Sequence, residues 1–123
     1  MKRIFIWFTV FVAISLLAFV ISDHNIVGHW TASGPDSTQV LIDFNNDGTF
    51  KVTSNGQTEN EGKYKFYEDT FLMYDNNCGM QTGGKYKLIF YNDDSASFKL
   101  IEDSCTERAQ EVDGGAIKRI TGN

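Results

Sequence analysis

The stretch that decides the fold runs from residue 61 to residue 75 and reads EGKYKFYEDTFLMYD. In its first half Tyr64 and Phe66 alternate with lysines, which is the period of two that a half-buried β-strand shows. Glu68 and Asp69 then form a polar reversal before a second apolar run. Two strands joined by so short a link favour antiparallel pairing, so the stretch predicts a β-hairpin.

The same pattern extends outward in both directions from this hairpin. Short apolar runs are separated by turn signals such as Asn45-Asn46-Asp47-Gly48 and Asn55-Gly56, whose residues tolerate positive φ. We predict eight strands, at about Val27–Ser33, Thr38–Phe44, Thr49–Ser54, Glu59–Tyr67, Thr70–Asp75, Gly84–Tyr91, Ser95–Ile101 and Gly115–Ile120. The links from the second strand to the seventh are short, which favours a meander, and closure into a barrel removes its exposed edges. The expected fold is all-β, an eight-stranded antiparallel up-and-down barrel.

A short helix is predicted before the last strand, over residues 104–112. Ser104 would cap this helix, and Glu107 would complete a capping box. Gly114-Gly115 would end it. A helix that leans on the barrel before the eighth strand fits this pattern.

The first 22 residues differ from the rest of the chain because a basic start is followed by a long apolar segment. Lys2 and Arg3 precede eighteen uncharged residues, 4–21. Two interpretations stay open: a signal peptide cleaved after Ser22, or a retained membrane anchor through residues 4–21, which reach the lower end of the spanning range. In both cases an N-terminal apolar helix precedes a domain at residues 23–123, and this domain lies outside the cytoplasm, in the periplasm, secreted or membrane-anchored.

Charge and length narrow the classes of function. The 123-residue chain has 11 basic and 16 acidic residues, with a formal net charge of −5. An acidic surface repels phosphate backbones, so nucleic acid is not an expected partner. The length predicts a single barrel domain after the apolar segment, and we expect a monomer.

Two cysteines, Cys78 and Cys105, follow an internal repeat. Residues 61–65 (EGKYK) recur as residues 83–87 (GGKYK), each copy opens a hairpin, and each hairpin is followed by a cysteine. Alternate strands of a meander run in the same direction, so both cysteines emerge at one end of the barrel. In an exported chain this placement predicts a disulfide. The alternatives are two free thiols or a metal pair, and two sulfurs with no nearby histidine make a poor zinc site.

Three stretches of the chain resemble a bacterial lipocalin-like domain family of small exported barrels. They are Ile26-Val27-Gly28-His29-Trp30, whose Gly-x-Trp matches the opening signature of lipocalins, the hairpin Phe44–Phe50, and Asp103–Arg108, preceded by Gly84-Lys85-Tyr86. The resemblance covers about residues 26–120. It implies that Trp30 packs under an arginine near the last strand, which makes Arg108 and Arg119 the candidates for closing the barrel, with a cation over the indole face.

Motifs for catalysis or metal binding are weak. Asp43-x-Asn45-x-Asp47-Gly48 matches the first half of a calcium loop, but Ser54 stands where a bidentate glutamate is needed. His24 and His29 have no third ligand within reach in the sequence. We therefore expect neither an enzyme nor a metal or cofactor site.

The functional candidates are aromatic residues assigned by alternation to the barrel interior: Trp30, Tyr64, Phe66, Tyr86, Phe90 and Phe98. They either fill the interior or line a ligand pocket, in which case the Tyr64 and Tyr86 hydroxyls would orient the ligand. The first hypothesis is an extracytoplasmic lipocalin-like binding module that holds a small apolar or amphipathic molecule. The alternative is a barrel that binds or inhibits an exported protein through its loops. A hollow interior favours the first hypothesis, and a filled core favours the second.

Overall fold

The structure is a computed structural model that describes residues 24–33 and 38–120. Its elements are β1 (Gly28–Ser33), β2 (Gln39–Phe44), β3 (Thr49–Ser54), β4 (Gln57–Tyr67), β5 (Thr70–Asp75), β6 (Gly79–Asn92), β7 (Ser95–Asp103), α1 (Thr106–Val112) and β8 (Ala116–Arg119). The N-terminal apolar helix predicted for residues 4–21 lies outside the described residues. Within the described ranges, no helix is long and apolar enough to cross a membrane.

The eight strands form a closed barrel in chain order, and every neighbouring pair is antiparallel. Closure is made by β8 against β1, where Trp30 is the register partner of Arg119 and Ala32 is the partner of Ile117. Each strand of the described barrel therefore has a partner on both sides, which removes the exposed edges. The predicted all-β barrel and the helix before its last strand are confirmed.

The turn between β2 and β3 shows why the hairpins close where the sequence predicts. The Asp47 carboxylate accepts hydrogen bonds from the Thr49 backbone N–H at 3.0 Å and from the Thr49 hydroxyl at 2.6 Å. These bonds lower the pKa of Asp47. Gly48 adopts φ +86, a conformation that side chains disfavour. The residues with calcium-loop spacing thus build a tight turn here.

The predicted start of the helix and the predicted start of the sixth strand are wrong. Ser104 does not cap α1, because Cys105 occupies the N-cap position and makes no side-chain cap hydrogen bond. The Cys105 backbone N–H donates to the Asp103 carboxylate at 2.9 Å. β6 begins at Gly79 rather than at Gly84, because pairing with β5 resumes beyond an irregularity in register and brings Asp75 opposite Gly79.

One end of the barrel is closed around Trp30, which is fully buried. Its indole N–H donates to the Ile26 carbonyl at 2.8 Å, and the Arg119 guanidinium lies 4.4 Å from the ring centroid. Arg119 also donates to the backbone carbonyls of Val27, at 2.8 Å, and Asn25. Of the two candidate arginines, Arg119 therefore covers Trp30, while Arg108 lies at the other end.

The buried core occupies the interior between the closed end and the middle of the barrel. Its buried apolar residues are Ile26, Trp30, Phe44, Phe50, Tyr64, Phe71, Met73, Tyr86, Leu88, Ala96, Phe98 and Ile117. Phe44, Phe71 and Phe98 form a chain of edge-on contacts, with centroids 5.6 Å and 5.2 Å apart. Edge-to-face geometry at these distances is favourable for aromatic pairs. This aromatic layer forms the floor on which the candidate site rests.

Candidate functional site

A cavity of about 820 Å³ occupies the barrel at the end opposite Trp30. Its wall uses the last residues of β1, β3 and β5 and the first residues of β2, β4 and β8, together with α1. In an antiparallel meander these positions all lie at one end. The volume falls in the range of roughly 300–1,000 Å³ that small-molecule sites occupy.

The inner wall of the cavity is apolar. It is formed by aliphatic side chains above the aromatic floor, among them Val40, Ile42, Val52, Met73 and Ile117. Met73 and Ile117 are buried, while Val40, Ile42 and Val52 are partly exposed, toward the cavity that they line. Binding is favourable when an apolar group replaces the solvent that contacts such a wall.

The rim of the cavity is polar and acidic. The exposed side chains of Glu59, Asn77, Glu107, Gln110 and Glu111 line it. The glutamates at 107 and 111 are carried by α1, and the third glutamate comes from β4. The site therefore combines an apolar interior with a carboxylate-rich entrance.

Beside this rim lies a buried ion cluster made of Asp75, Asp103 and Arg108. The Arg108 side chain is only 3% exposed. Its Nε donates to Asp103 Oδ2 at 2.7 Å and its Nη2 to Asp103 Oδ1 at 2.8 Å, while Nη1 lies 3.4 Å from Asp75 Oδ1. A further hydrogen bond from Nη2 reaches the Thr82 carbonyl at 2.9 Å. The cluster thus ties α1 to β5, β6 and β7.

Contacts within the cluster favour the charged forms of Asp103 and Arg108. Burial disfavours the charged form of Asp103, but hydrogen bonds from Arg108 and then from Tyr86 outweigh it and lower the pKa of Asp103. The hydrogen bonds to Asp103 raise the pKa of Arg108. Burial, followed by the contact with Asp103, raises the pKa of Tyr86. Its hydroxyl therefore stays protonated and donates to Asp103 Oδ2 at 2.5 Å.

The internal repeat positions these carboxylates. Its two glycines are the register partners of the two aspartates, Gly62 opposite Asp75 and Gly84 opposite Asp103. A Cβ on Gly62 would lie 2.7 Å from the Asp75 Cα, and one on Gly84 would lie 2.8 Å from the Asp103 carboxyl carbon. The repeat therefore needs glycine so that each aspartate can pack against the neighbouring strand.

Each aspartate of the cluster also orders a cysteine. Asp75 accepts the N–H of Cys78 at 2.9 Å, and Asp103 accepts the N–H of Cys105 at 2.9 Å. The two cysteines form the predicted disulfide, with their Cα atoms 6.1 Å apart. This bond joins the β5–β6 turn to the start of α1, next to the cavity rim. The cysteines and the repeat could be identified from the sequence, but the aspartates and the role of Arg108 in this cluster could not.

The aromatic residues predicted to contact a ligand lie mostly away from the cavity. Phe98 lines it. Trp30 plugs the closed end, and Phe90 stacks there on His24 at a centroid distance of 4.2 Å. Phe66 contacts Phe90, with the two centroids 6.0 Å apart.

The two tyrosine hydroxyls predicted to orient a ligand already have acceptors within the protein. Tyr64 donates to the Asn45 carbonyl at 2.8 Å, and Tyr86 donates to Asp103. Neither residue lines the cavity. The polar groups that line it include the rim glutamates, side-chain amides and hydroxyls, and Asp75 and Arg108 of the buried ion cluster.

No protein-family model, curated protein or solved structure matches this chain. The resemblance to lipocalin-like domains therefore stays a prediction, and the functional argument rests on the barrel and its cavity. In the part of the chain that the structure describes, no group of three or more histidine, cysteine, aspartate or glutamate side chains is placed to hold a metal ion.

Proposed function

We propose that this chain is an extracytoplasmic binding module that holds a small apolar or amphipathic molecule inside its barrel. The observation that carries the proposal is the cavity of about 820 Å³ with an apolar inner wall and a polar rim. Burial of an apolar chain against such a wall contributes about 0.8 kcal/mol for each methylene removed from water. The polar end of the ligand would stay at the rim, in contact with both solvent and protein.

The proposed location outside the cytoplasm rests on two features. Residues 4–21 are a continuous uncharged apolar segment after a basic start. The Cys78–Cys105 disulfide fits an oxidising compartment, because cytosolic reductants keep such thiols reduced. A ligand-binding barrel delivered across a membrane accounts for both features.

The test is the binding of N-phenyl-1-naphthylamine, a neutral probe whose fluorescence rises in apolar surroundings. The full chain is expressed with its N-terminal segment and purified in the form in which cells export it. Ile42→Trp places a large side chain in the cavity, and Leu41→Trp, the matched control, adds the same side chain to a position that is 45% exposed.

We expect the wild-type chain and the control to bind the probe and Ile42→Trp to lose at least about tenfold in affinity, because the added ring occupies the apolar volume. Circular dichroism verifies that both variants keep their β structure. Absence of probe binding, or equal binding by Ile42→Trp and the wild-type chain, would contradict the proposed function.

A further inference from the structure

The internal repeat also places lysines on the outside of the barrel. Its two copies lie on β4 and β6, on either side of β5. Tyr64 and Tyr86 of the repeat are buried, so the lysines that alternate with them lie on the outer surface. These exposed lysines are Lys63, Lys65, Lys85 and Lys87. The repeat therefore puts one pair of lysines on each side of β5.

The register of the strands arranges these lysines around a strip that carries no charge. The strip is the outer face of β5, formed by the partly exposed residues Thr70, Leu72 and Tyr74. Leu72 is the register partner of Lys65 on one side and of Lys85 on the other, and Tyr74 is the partner of Lys63. We call the strip and the four lysines of the repeat the basic face.

The positive charge of the basic face is not paired within the protein. None of its lysines forms an ion pair with a carboxylate among residues 24–33 and 38–120. Lys87 is the register partner of Lys99 on β7, and like charges directly opposite each other repel. Two exposed carboxylates, Glu61 and Glu102, share the outer surface of these strands. With Lys99, five of the eleven basic residues of the chain lie on or beside the basic face.

Aromatic side chains accompany the lysines on this surface. The Tyr74 ring lies against Gly83 of the second repeat copy, where a Cβ would come within 2.6 Å of the ring carbon Cε2. Tyr67, the last residue of β4, adds a ring that is 49% exposed beside Thr70, its register partner. Tyrosine, with its apolar ring and polar hydroxyl, is enriched at the headgroup level of membranes.

We propose that the basic face docks on a bilayer surface that contains anionic phospholipids. The lysines contact the lipid phosphates, and Leu72 and the tyrosine rings enter the headgroup region between them. Each lysine close to an anionic bilayer adds attraction, and this attraction falls off within a Debye length, about 8 Å at physiological ionic strength. The chain has a formal net charge of −5, so a surface of the opposite sign determines which side approaches the lipid.

Two observations favour a lipid surface over an acidic protein. The uncharged strip lies between the lysine pairs, and a headgroup layer accepts apolar and aromatic side chains together with lysines. The proposed delivery of the chain by residues 4–21 also brings the domain next to a membrane. The inference uses this proposed location but does not depend on the cavity or its ligand.

The experiment measures how vesicles protect individual lysines of the full chain, in the form in which cells export it. Sulfo-N-hydroxysuccinimide acetate acetylates exposed lysines, and mass spectrometry gives the rate at each one. Vesicles of phosphatidylcholine alone are compared with vesicles that also contain phosphatidylglycerol. We expect phosphatidylglycerol to slow acetylation of the four basic-face lysines at least about threefold, and added salt to reverse this protection.

Lys51 and Lys118 are the internal controls of this measurement. They are exposed on β3 and β8, the strands outside the β4–β7 surface, and their rates should change by less than about 1.5-fold. Because the comparison is between two vesicle compositions, it applies whether or not residues 4–21 are retained as an anchor. Poly-L-glutamate replaces the vesicles in a further measurement as a probe of acidic protein.

A matched pair of double variants separates the basic face from the overall charge of the protein. Lys65→Gln with Lys85→Gln removes the two lysines that flank Leu72, while Lys51→Gln with Lys118→Gln removes two exposed lysines elsewhere. Both double variants change the net charge equally, and circular dichroism verifies their β structure. We expect the first to lose the protection of the remaining basic-face lysines and the second to keep it.

The outcomes are distinct from those for the cavity. Equal acetylation rates with the two kinds of vesicle would refute docking on anionic lipid, and equal protection of Lys51 and Lys118 would refute the basic face as the docking surface. Protection by poly-L-glutamate that equals or exceeds protection by the vesicles would refute lipid in favour of an acidic protein. Protection that rises with the concentration of the chain alone would instead indicate a second copy and would also refute lipid. None of these results changes the binding of N-phenyl-1-naphthylamine expected of the barrel.

Discussion

Replacing Arg108 with methionine removes the cation of the buried ion cluster and tests whether the cluster holds α1 against the barrel. The Arg108 side chain is 3% exposed and donates three hydrogen bonds, two to Asp103 and one to the Thr82 carbonyl. Methionine fills much of the same space without a charge. The carboxylates of Asp75 and Asp103 would then stay buried with no cation beside them.

The expected cost is large for a domain of this size. Removing one partner of a buried ion pair destabilises a protein by about 3–5 kcal/mol. The free energy of unfolding of a natural domain is about 5–15 kcal/mol. At about 4–8 °C per kcal/mol for a domain of up to about 100 residues, the Tm should fall by about 12–40 °C.

The decrease in the free energy of unfolding caused by Arg108→Met should depend on pH. The pKa of Asp103 is lowered in the folded chain, because hydrogen bonds from Arg108 and Tyr86 outweigh the effect of burial. Because the pKa of Asp103 is lower in the folded chain than its ordinary value of 3.8, the charged carboxylate contributes stability that is fully present above pH 3.8. This contribution is lost as the pH falls through the pKa that Asp103 has in the folded chain. The difference between wild type and variant should therefore be full at pH 7 and shrink below about pH 4, where protonation removes the unpaired charge.

Urea unfolding followed by far-ultraviolet circular dichroism measures the free energy of unfolding at both pH values. Lys85→Met is the matched control, since it removes the same charge from an exposed position on β6. A surface substitution of this kind usually changes stability by no more than about 0.5 kcal/mol. Equal losses for Arg108→Met and Lys85→Met, or a difference that does not change in acid, would refute the reasoning.

Three further predictions concern stability and can be measured by the same unfolding assay. Replacing Cys78 and Cys105 with serine should cost about 3–4 kcal/mol, because the bond closes a loop with a sequence separation of 27; a loss below about 1 kcal/mol would contradict this estimate. Lys99→Glu should stabilise the barrel by about 0.2–1 kcal/mol at low salt, because Lys99 is the register partner of Lys87 and like charges repel there; a loss of stability would count against it. Gly84→Ala should cost about 1–3 kcal/mol, because its methyl group would lie within 3.0 Å of the buried ion cluster; an unchanged Tm would show that the cluster shifts without cost.

The barrel could be predicted because its signals are local. A period of two and residues that tolerate positive φ act over a few neighbouring positions, and both predicted strands Thr49–Ser54 and Thr70–Asp75 keep their boundaries. Alternation alone could not choose the buried face of β5, since both of its faces carry apolar residues. Closure of the barrel determines which face of β5 is buried. Phe71 and Met73 are buried, while Leu72 has Lys65 and Lys85 as register partners on the outer surface.

The cavity could not be predicted in the same way. The interior volume depends on how strand number and stagger set the barrel diameter, and the sequence of a single strand does not determine that diameter. Large aromatic residues are the strongest apolar signal in a sequence, but most of those chosen as ligand contacts pack in the closed part of the barrel. The Tyr64 hydroxyl illustrates the reason: a buried hydroxyl needs an acceptor, and the Asn45 carbonyl in the adjacent turn provides one.

The internal repeat explains how a seven-residue helix can form a wall of the cavity. A helix as short as α1 is unstable by itself, so tertiary contacts must hold it. Each hairpin that a copy of the repeat opens ends in an aspartate that orders a cysteine, and the disulfide joins the two hairpins beside the start of α1. Arg108, in the first half of α1, then reaches between Asp75 and Asp103, one from each hairpin. The position of this wall, and with it the size of the entrance, thus depends on one covalent bond and one buried arginine rather than on the helix propensity of residues 106–112.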